Sequence, residues 1–235
     1  MEIIFSEKCF EYKWPGHIER PERMSVGLGI LQENYNILES ETASEKDLLT
    51  VHTNEHVNRV KNAGPWCALD PDTPAPEGIY SHALLSAGAT MLAAEKKLFH
   101  TCVLLGTMLD LRVRLWVLEL HRHPAYPYTG FASNGNCLNY PLPYSAGNNM
   151  YMKTLRKALS EVKMDKIELI AISAGFDTHE GDIVSLGLTG SSYREIGRIV
   201  GSLNKPLFGT LEGGYIGEYV GADVHELLSG IEEVQ

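Results

Sequence analysis

The alternation of apolar and polar positions changes period along the chain, and those changes delimit its elements. Glu2 to Phe5 reads as a short first strand, followed by a polar turn at Pro15-Gly16-His17 and a helix from Glu22 to Asn34. Thr53 is placed to cap a helix running through Lys61. Asp70 to Pro76 holds three prolines and reads as a loop. Glu77 to Leu98 is a long Ala-rich helix whose stripe Leu84, Leu85, Gly88, Met91 and Leu92 marks a core-facing side. Val113 to Leu120 alternates Arg114, Trp116, Leu118 and Leu120 as a strand does.

From Gly147 the pattern is more regular. A helix (Asn149 to Val162), a strand (Ile167 to Ser173), a helix (Ser191 to Leu203), a strand (Pro206 to Leu211) and a helix (Val220 to Ile231) follow in turn. Both strands are short apolar runs, the mark of parallel strands buried on two faces. The expected class is α/β, a mainly parallel sheet flanked by helices, in a single domain over residues 1–235.

Bulk properties narrow the function. With 44% hydrophobic and 21% charged residues the chain has an ordinary globular composition, and its formal net charge of −10 argues against direct nucleic-acid binding. The stretch Cys102 to Leu120 is the most apolar, but Asp110, Arg112, Arg114 and Glu119 interrupt it, so no membrane span is expected. Cys9, Cys67, Cys102 and Cys137 are scattered with no Cys-x-x-Cys pair, which suits reduced thiols. Met1-Glu2-Ile3-Ile4-Phe5 lacks the pattern of a secretory leader, and a cytoplasmic location is expected.

Candidate chemistry gathers just after the last two strands. Ser173-Ala174-Gly175-Phe176-Asp177-Thr178-His179 puts a carboxylate beyond one strand, and Leu211-Glu212-Gly213-Gly214-Tyr215 puts a phenol on a glycine turn beyond the other. Ligands of open α/β sheets bind at such carboxyl ends. Taken alone, Asp177 reads as a turn residue, Tyr215 as a packing aromatic, and His121, His123 and His179 as loop or surface histidines. His52-Thr53-Asn54-Glu55-His56 also spells the His-x-x-Glu-His pattern of zinc peptidases, but no downstream glutamate ligand is evident and His52 precedes the expected cap.

Several blocks in order raise the carboxylate and the phenol above that background: Gly16-His17-Ile18-Glu19-Arg20-Pro21-Glu22-Arg23, Val51-His52-Thr53-Asn54-Glu55-His56-Val57, Asp70-Pro71-Asp72-Thr73, Leu120-His121-Arg122-His123-Pro124, Tyr126-Pro127-Tyr128-Thr129-Gly130 and Asn139-Tyr140-Pro141-Leu142-Pro143. With the two C-terminal motifs, the series resembles the histone deacetylase superfamily, which includes the acetylpolyamine amidohydrolases. The resemblance implies a deacetylase/arginase-like α/β fold and zinc-dependent hydrolysis of acetyl-lysine or acetylpolyamine amides. It assigns Asp177 to the zinc, Tyr215 to the substrate carbonyl and its oxyanion, Tyr126 to the acyl tunnel and Asp72 to the substrate backbone. His17, Arg20 and Arg23 are expected to make polar contacts that close the N-terminal loop.

One departure qualifies this reading. Between the long helix and Leu120 the family carries a tandem-histidine base and a strand ending in Asp-x-His, the source of its other two zinc ligands. Here the atypical segment 99–117 stands in their place without those motifs, and Asp110-Leu111-Arg112 is only a faint echo. The expected sheet is therefore incomplete in its centre, unless Val103 to Leu120 fills the gap. Alongside the enzyme reading stands an alternative, a catalytically inactive or truncated family member that at most binds ligand.

Overall fold

The computed structural model describes residues 1–65, 67–70, 73–96, 99–100, 117–125 and 128–235. It divides into two compact units, one of Met1–Leu111, Ile170–Ala174 and Pro206–Gly213, the other of Arg112–Leu169, Gly175–Lys205 and Gly214–Gln235. In chain order the elements of the first half are β1 (Glu2–Phe5), α1 (Glu22–Asn34), β2 (Asn36–Glu39), α2 (Glu45–Leu48), α3 (Asn54–Lys61), β3 (Cys67–Asp70), β4 (Thr73–Ala75), α4 (Ile79–Lys96) and β5 (Phe99–His100). The second half holds β6 (Val117–Arg122), β7 (Cys137–Leu142), α5 (Gly147–Glu161), β8 (Ile170–Ala174), α6 (Gly190–Gly201), β9 (Leu207–Leu211) and α7 (Gly217–Glu232).

The first unit is built on a five-stranded sheet in the order β2-β1-β5-β9-β8, and every neighbouring pair is parallel. The expected parallel sheet is thus present. Ile3 and Ile4 on β1 are fully buried. Ile4 and Phe5 pack with Leu28 of α1, Leu85, Ala89 and Ala93 of α4, and Phe208 of β9. Burying such side chains stabilises by about 1.5–3 kcal/mol for each large one. The covered line of α4 runs through His82, Leu85, Ser86, Gly88, Ala89 and Ala93, whereas Met91 of the expected stripe faces solvent.

Local capping explains where several helices begin. Thr53 accepts a hydrogen bond from the His56 amide at 3.2 Å and so starts α3 as expected. His52 then precedes the helix, and although its ring lies 5.0 Å from that of His56, the pair is not presented by one helical face as the peptidase pattern requires. Ser44 and Asp47 form a reciprocal capping box on α2.

Two expectations are corrected. The proline-rich stretch is not a plain loop, because β3 and β4 pair antiparallel across it with Ala68 opposite Pro74. A two-stranded ribbon tolerates proline, since each strand has an unpaired edge. Within the atypical segment Phe99–His100 forms β5, which sits between β1 and β9 in the main sheet, whereas the described part of Val103 to Leu120 does not join that sheet: β6 pairs in parallel with β7 in a separate two-stranded sheet of the second unit, Leu118 opposite Leu138. Residues 101–116, including Asp110 and Trp116, lie outside the described residues.

In the second unit α6 and α7 pack along one another, and α5 adds Met152 and Leu155 to a cluster with Ile199 of α6. Among the described residues no helix is long and apolar enough to cross a membrane. Cys9, Cys67 and Cys137 are free thiols.

Candidate functional site

The loop after β8, residues 175–189, carries Asp177 and is held by groups on both sides of it. Phe176 is almost fully buried and its ring lies 4.9 Å from that of Tyr193 on α6. The Tyr193 hydroxyl donates to the Phe176 carbonyl at 3.2 Å and lies 3.0 Å from the Thr178 hydroxyl. One phenol therefore clamps the residues immediately before and after Asp177. Burial pushes the Tyr193 phenol well above the ordinary tyrosine range. The Tyr151 phenol on α5 is pushed up to about 12, by burial first and then by the negative charge of Asp177. Both phenols stay protonated around the carboxylate.

His179 anchors the same loop to α7. Its Nδ1 lies 2.6 Å from Asp223 Oδ2 and its ring stacks on Tyr219 at 4.4 Å. Burial raises the Asp223 carboxyl to about 6, and the neighbouring His179 opposes that rise. His179 is thus a loop histidine as expected, but a buried and committed one rather than a surface side chain. Within the same unit Asp182 reaches the phenol loop, its Oδ2 accepting from the amides of Tyr215 at 2.8 Å and Ile216 at 3.2 Å. The Asp177 loop and the Tyr215 loop are tied directly.

Tyr215 follows Gly214, whose φ of +122° is a backbone conformation that favours glycine. A Cβ there would sit 3.0 Å from Phe176 Cβ and 3.0 Å from Val220 Cγ2. Gly214→Ala should accordingly cost about 1–3 kcal/mol from strained backbone alone. A denaturation midpoint unchanged from the parent would show that the turn does not need glycine.

In the first unit a second polar cluster surrounds Glu212. The Arg23 guanidinium donates to the Glu212 carbonyl at 2.7 Å and pairs with Glu19 at 3.3 Å, and the Glu19 amide donates to His17 Nδ1 at 3.1 Å. Arg23 thus ties the N-terminal segment to the chain after β9 as expected, whereas the His17 contact stays within the loop. Burial raises the Glu212 carboxyl above the usual carboxylate range, with the Thr210 hydroxyl donating to it at 3.2 Å.

The structure brings Asp177 and Tyr215 into one unit, while Tyr126 and Asp72 lie outside the described residues. His121 and His123 neighbour each other on and beside β6, with ring centroids 6.4 Å apart. Among the described residues no group of three or more His, Cys, Asp or Glu side chains is arranged to hold a metal ion. Asp177 by itself does not make the three-ligand site a catalytic zinc requires. Sequence reading missed Asp182, Tyr193, Tyr151 and Asp223 as supports of the site, because none belongs to a spaced motif.

The model of the histone deacetylase domain matches residues 17–104 and 107–231. A probable deacetylase of Archaeoglobus fulgidus is 28% identical over 290 residues, covering 91% of this chain and 80% of that protein. That alignment is longer than the 235-residue chain, so the relative carries internal sequence with no counterpart here. An acetylpolyamine amidohydrolase of Mycoplana ramosa is 28% identical over 159 residues, 63% of this chain and 47% of that one. Among solved structures, an acetylpolyamine aminohydrolase from Burkholderia pseudomallei superposes with a TM-score of 0.82 at 16% identity, over 100% of this chain and 99% of that one. The HDA15 HD domain superposes with a TM-score of 0.83 at 20% identity, over 99% and 91%. At these identities the structures establish a shared fold.

Proposed function

The chain belongs to the histone deacetylase family, and from that premise we propose that it hydrolyses acetyl amides of lysine or polyamines, with Tyr215 as the donor to the substrate carbonyl. The observation that supports this reading is the Asp182 tie between the loop that carries Asp177 and the backbone of the loop that carries Tyr215. A hydroxyl aimed at a carbonyl stabilises the negative charge that develops on its oxygen. Asp177, flanked by protonated phenols and clamped through Phe176 and Thr178, is the carboxylate for the metal side. Zinc, when bound in this family, supplies carbonyl polarisation and an activated water. The described residues do not complete a site for it. The substrate range follows the names of the relatives, and the acidic net charge suits cationic polyamines or basic peptides. Scattered free thiols suit a cytoplasmic setting.

A second reading, ligand binding without turnover, has one observation behind it, although the relatives support the first. The family match breaks between residues 104 and 107, inside the segment where the family keeps its histidine base and remaining zinc ligands. Elemental analysis and a hydrolysis assay on the same preparation separate the two. The enzyme reading expects near-stoichiometric zinc and turnover of acetyl-lysine peptide or acetylpolyamine, both lost in Asp177→Ala. Zinc well below one per chain, with turnover at background, would leave only the binding reading.

A further inference from the structure

We infer that Asp182 is the positioning residue for the Tyr215 phenol, holding it in place from the loop that carries Asp177. The role of the phenol rests on the proposed function; the positioning itself does not.

Asp182 is 8% exposed, and its carboxylate is satisfied by three backbone donors. Oδ1 accepts from the Ile183 amide at 2.6 Å, and Oδ2 accepts from the amides of Tyr215 at 2.8 Å and Ile216 at 3.2 Å. Charge-assisted bonds of this kind are roughly twice as strong as neutral ones. The acceptor is itself fixed: the Asp182 amide donates to the His179 carbonyl at 3.1 Å, and its carbonyl accepts from the Ser185 amide at 3.2 Å. His179 in turn is pinned by Asp223 and Tyr219 of α7.

The phenol side needs such an anchor. Gly213-Gly214 precedes Tyr215, and a glycine pair leaves the incoming chain poorly determined. Ile216, the residue ahead of α7, has no side-chain cap of its own. The carboxylate of Asp182 serves the two amides between the glycines and the helix, 33 and 34 residues away in sequence. A displacement of about 1 Å at a reacting group can cost on the order of 10²-fold in rate, so the bond that removes this freedom bears directly on what the phenol does.

The test places 3-fluorotyrosine at position 215, or at position 193 as a control, and follows ¹⁹F NMR together with amide hydrogen exchange. In Asp182→Ala the 215 resonance should move toward that of free fluorotyrosine while the 193 resonance holds. Exchange at the Tyr215 and Ile216 amides should accelerate about tenfold or more, as loss of a bond to a charged group implies. Asp182→Asn, which keeps the shape and loses the charge, should shift in the same direction by less, and carries the test if the alanine variant does not fold. Equal movement of both probes would mean a general structural role and overturn the inference, as would unchanged exchange at residues 215 and 216 in both variants. Neither readout needs zinc or turnover, so a chain that fails as a deacetylase still decides the matter.

Discussion

Gly230→Ala should destabilise the protein by about 1–3 kcal/mol or more, the range for forcing atoms into a packed interface. A Cβ on Gly230 of α7 would lie 2.0 Å from the Arg194 carbonyl oxygen of α6, and one on Gly197 of α6 would lie 2.1 Å from the Leu227 carbonyl oxygen of α7. The obstruction on each side is helix backbone, so relief requires the two helices to move apart. Separation would pull on the ion pairs that bridge them, Arg194 with Glu226 at 2.5 Å and with Glu233 at 2.6 Å, and Arg198 with Glu233 at 2.5 Å. It would also move Tyr193 and Asp223, which brace the Asp177 loop from the same two helices. Gly29 of α1 supplies the contrast, because nothing lies within 4 Å of a Cβ there. Gly29→Ala should stabilise by about 0.5–1 kcal/mol, the helix-propensity gain of alanine. Urea denaturation of the three proteins measures all of this. A Gly230→Ala midpoint at or above the parent would mean that the helices do not cross as closely as described.

Tyr215→Phe should lower the rate of acetyl-amide hydrolysis by about 10²–10³-fold, the usual consequence of removing one oxyanion donor. The substitution deletes only the hydroxyl, and the backbone bond from the residue 215 amide to Asp182 is retained, so the loop should keep its place. The loss should fall on kcat more than on KM, because the bond strengthens as charge develops on the oxygen. Steady-state kinetics on an acetyl-lysine peptide and on an acetylpolyamine, with zinc supplied, give the answer. Turnover that survives Tyr215→Phe undiminished would remove the phenol from the chemistry and assign the activity elsewhere.

Elements whose residues declare their own partners were legible in the sequence. Helix α1 begins and ends where its apolar spacing and Pro21 place it, Glu22–Asn34, and α3 starts after the Thr53 cap. Strands β8 and β9 were legible as apolar runs between helical periods, within three residues at each end. Five strands escaped: β2, β3, β4, β5 and β7. Asn36–Glu39 (β2) offers only Ile37 and Leu38 as a signal, and Cys137–Leu142 (β7) contains Asn139 and Pro141, residues depleted from strands. The extended conformation of β2 and β7 comes from pairing with β1 and β6, a non-local contact that no window of sequence contains.

The site divides along the same line. Asp177 and Tyr215 stand out because each sits in a contiguous motif at a strand end, and local sequence carries that information in full. What holds them does not. Asp182 meets Tyr215 across 33 residues, His179 meets Asp223 across 44, and Tyr193 reaches back 17 residues to Phe176. A hydrogen bond between distant residues leaves no periodicity and no spacing rule, because the intervening chain can be of any length once the fold closes it. The sequence by itself therefore determined the fold class, the family and the two groups that carry the candidate chemistry. Only the tertiary structure decided which buried carboxylate and phenol support them, since those roles depend on burial and on convergence of donors from separate elements.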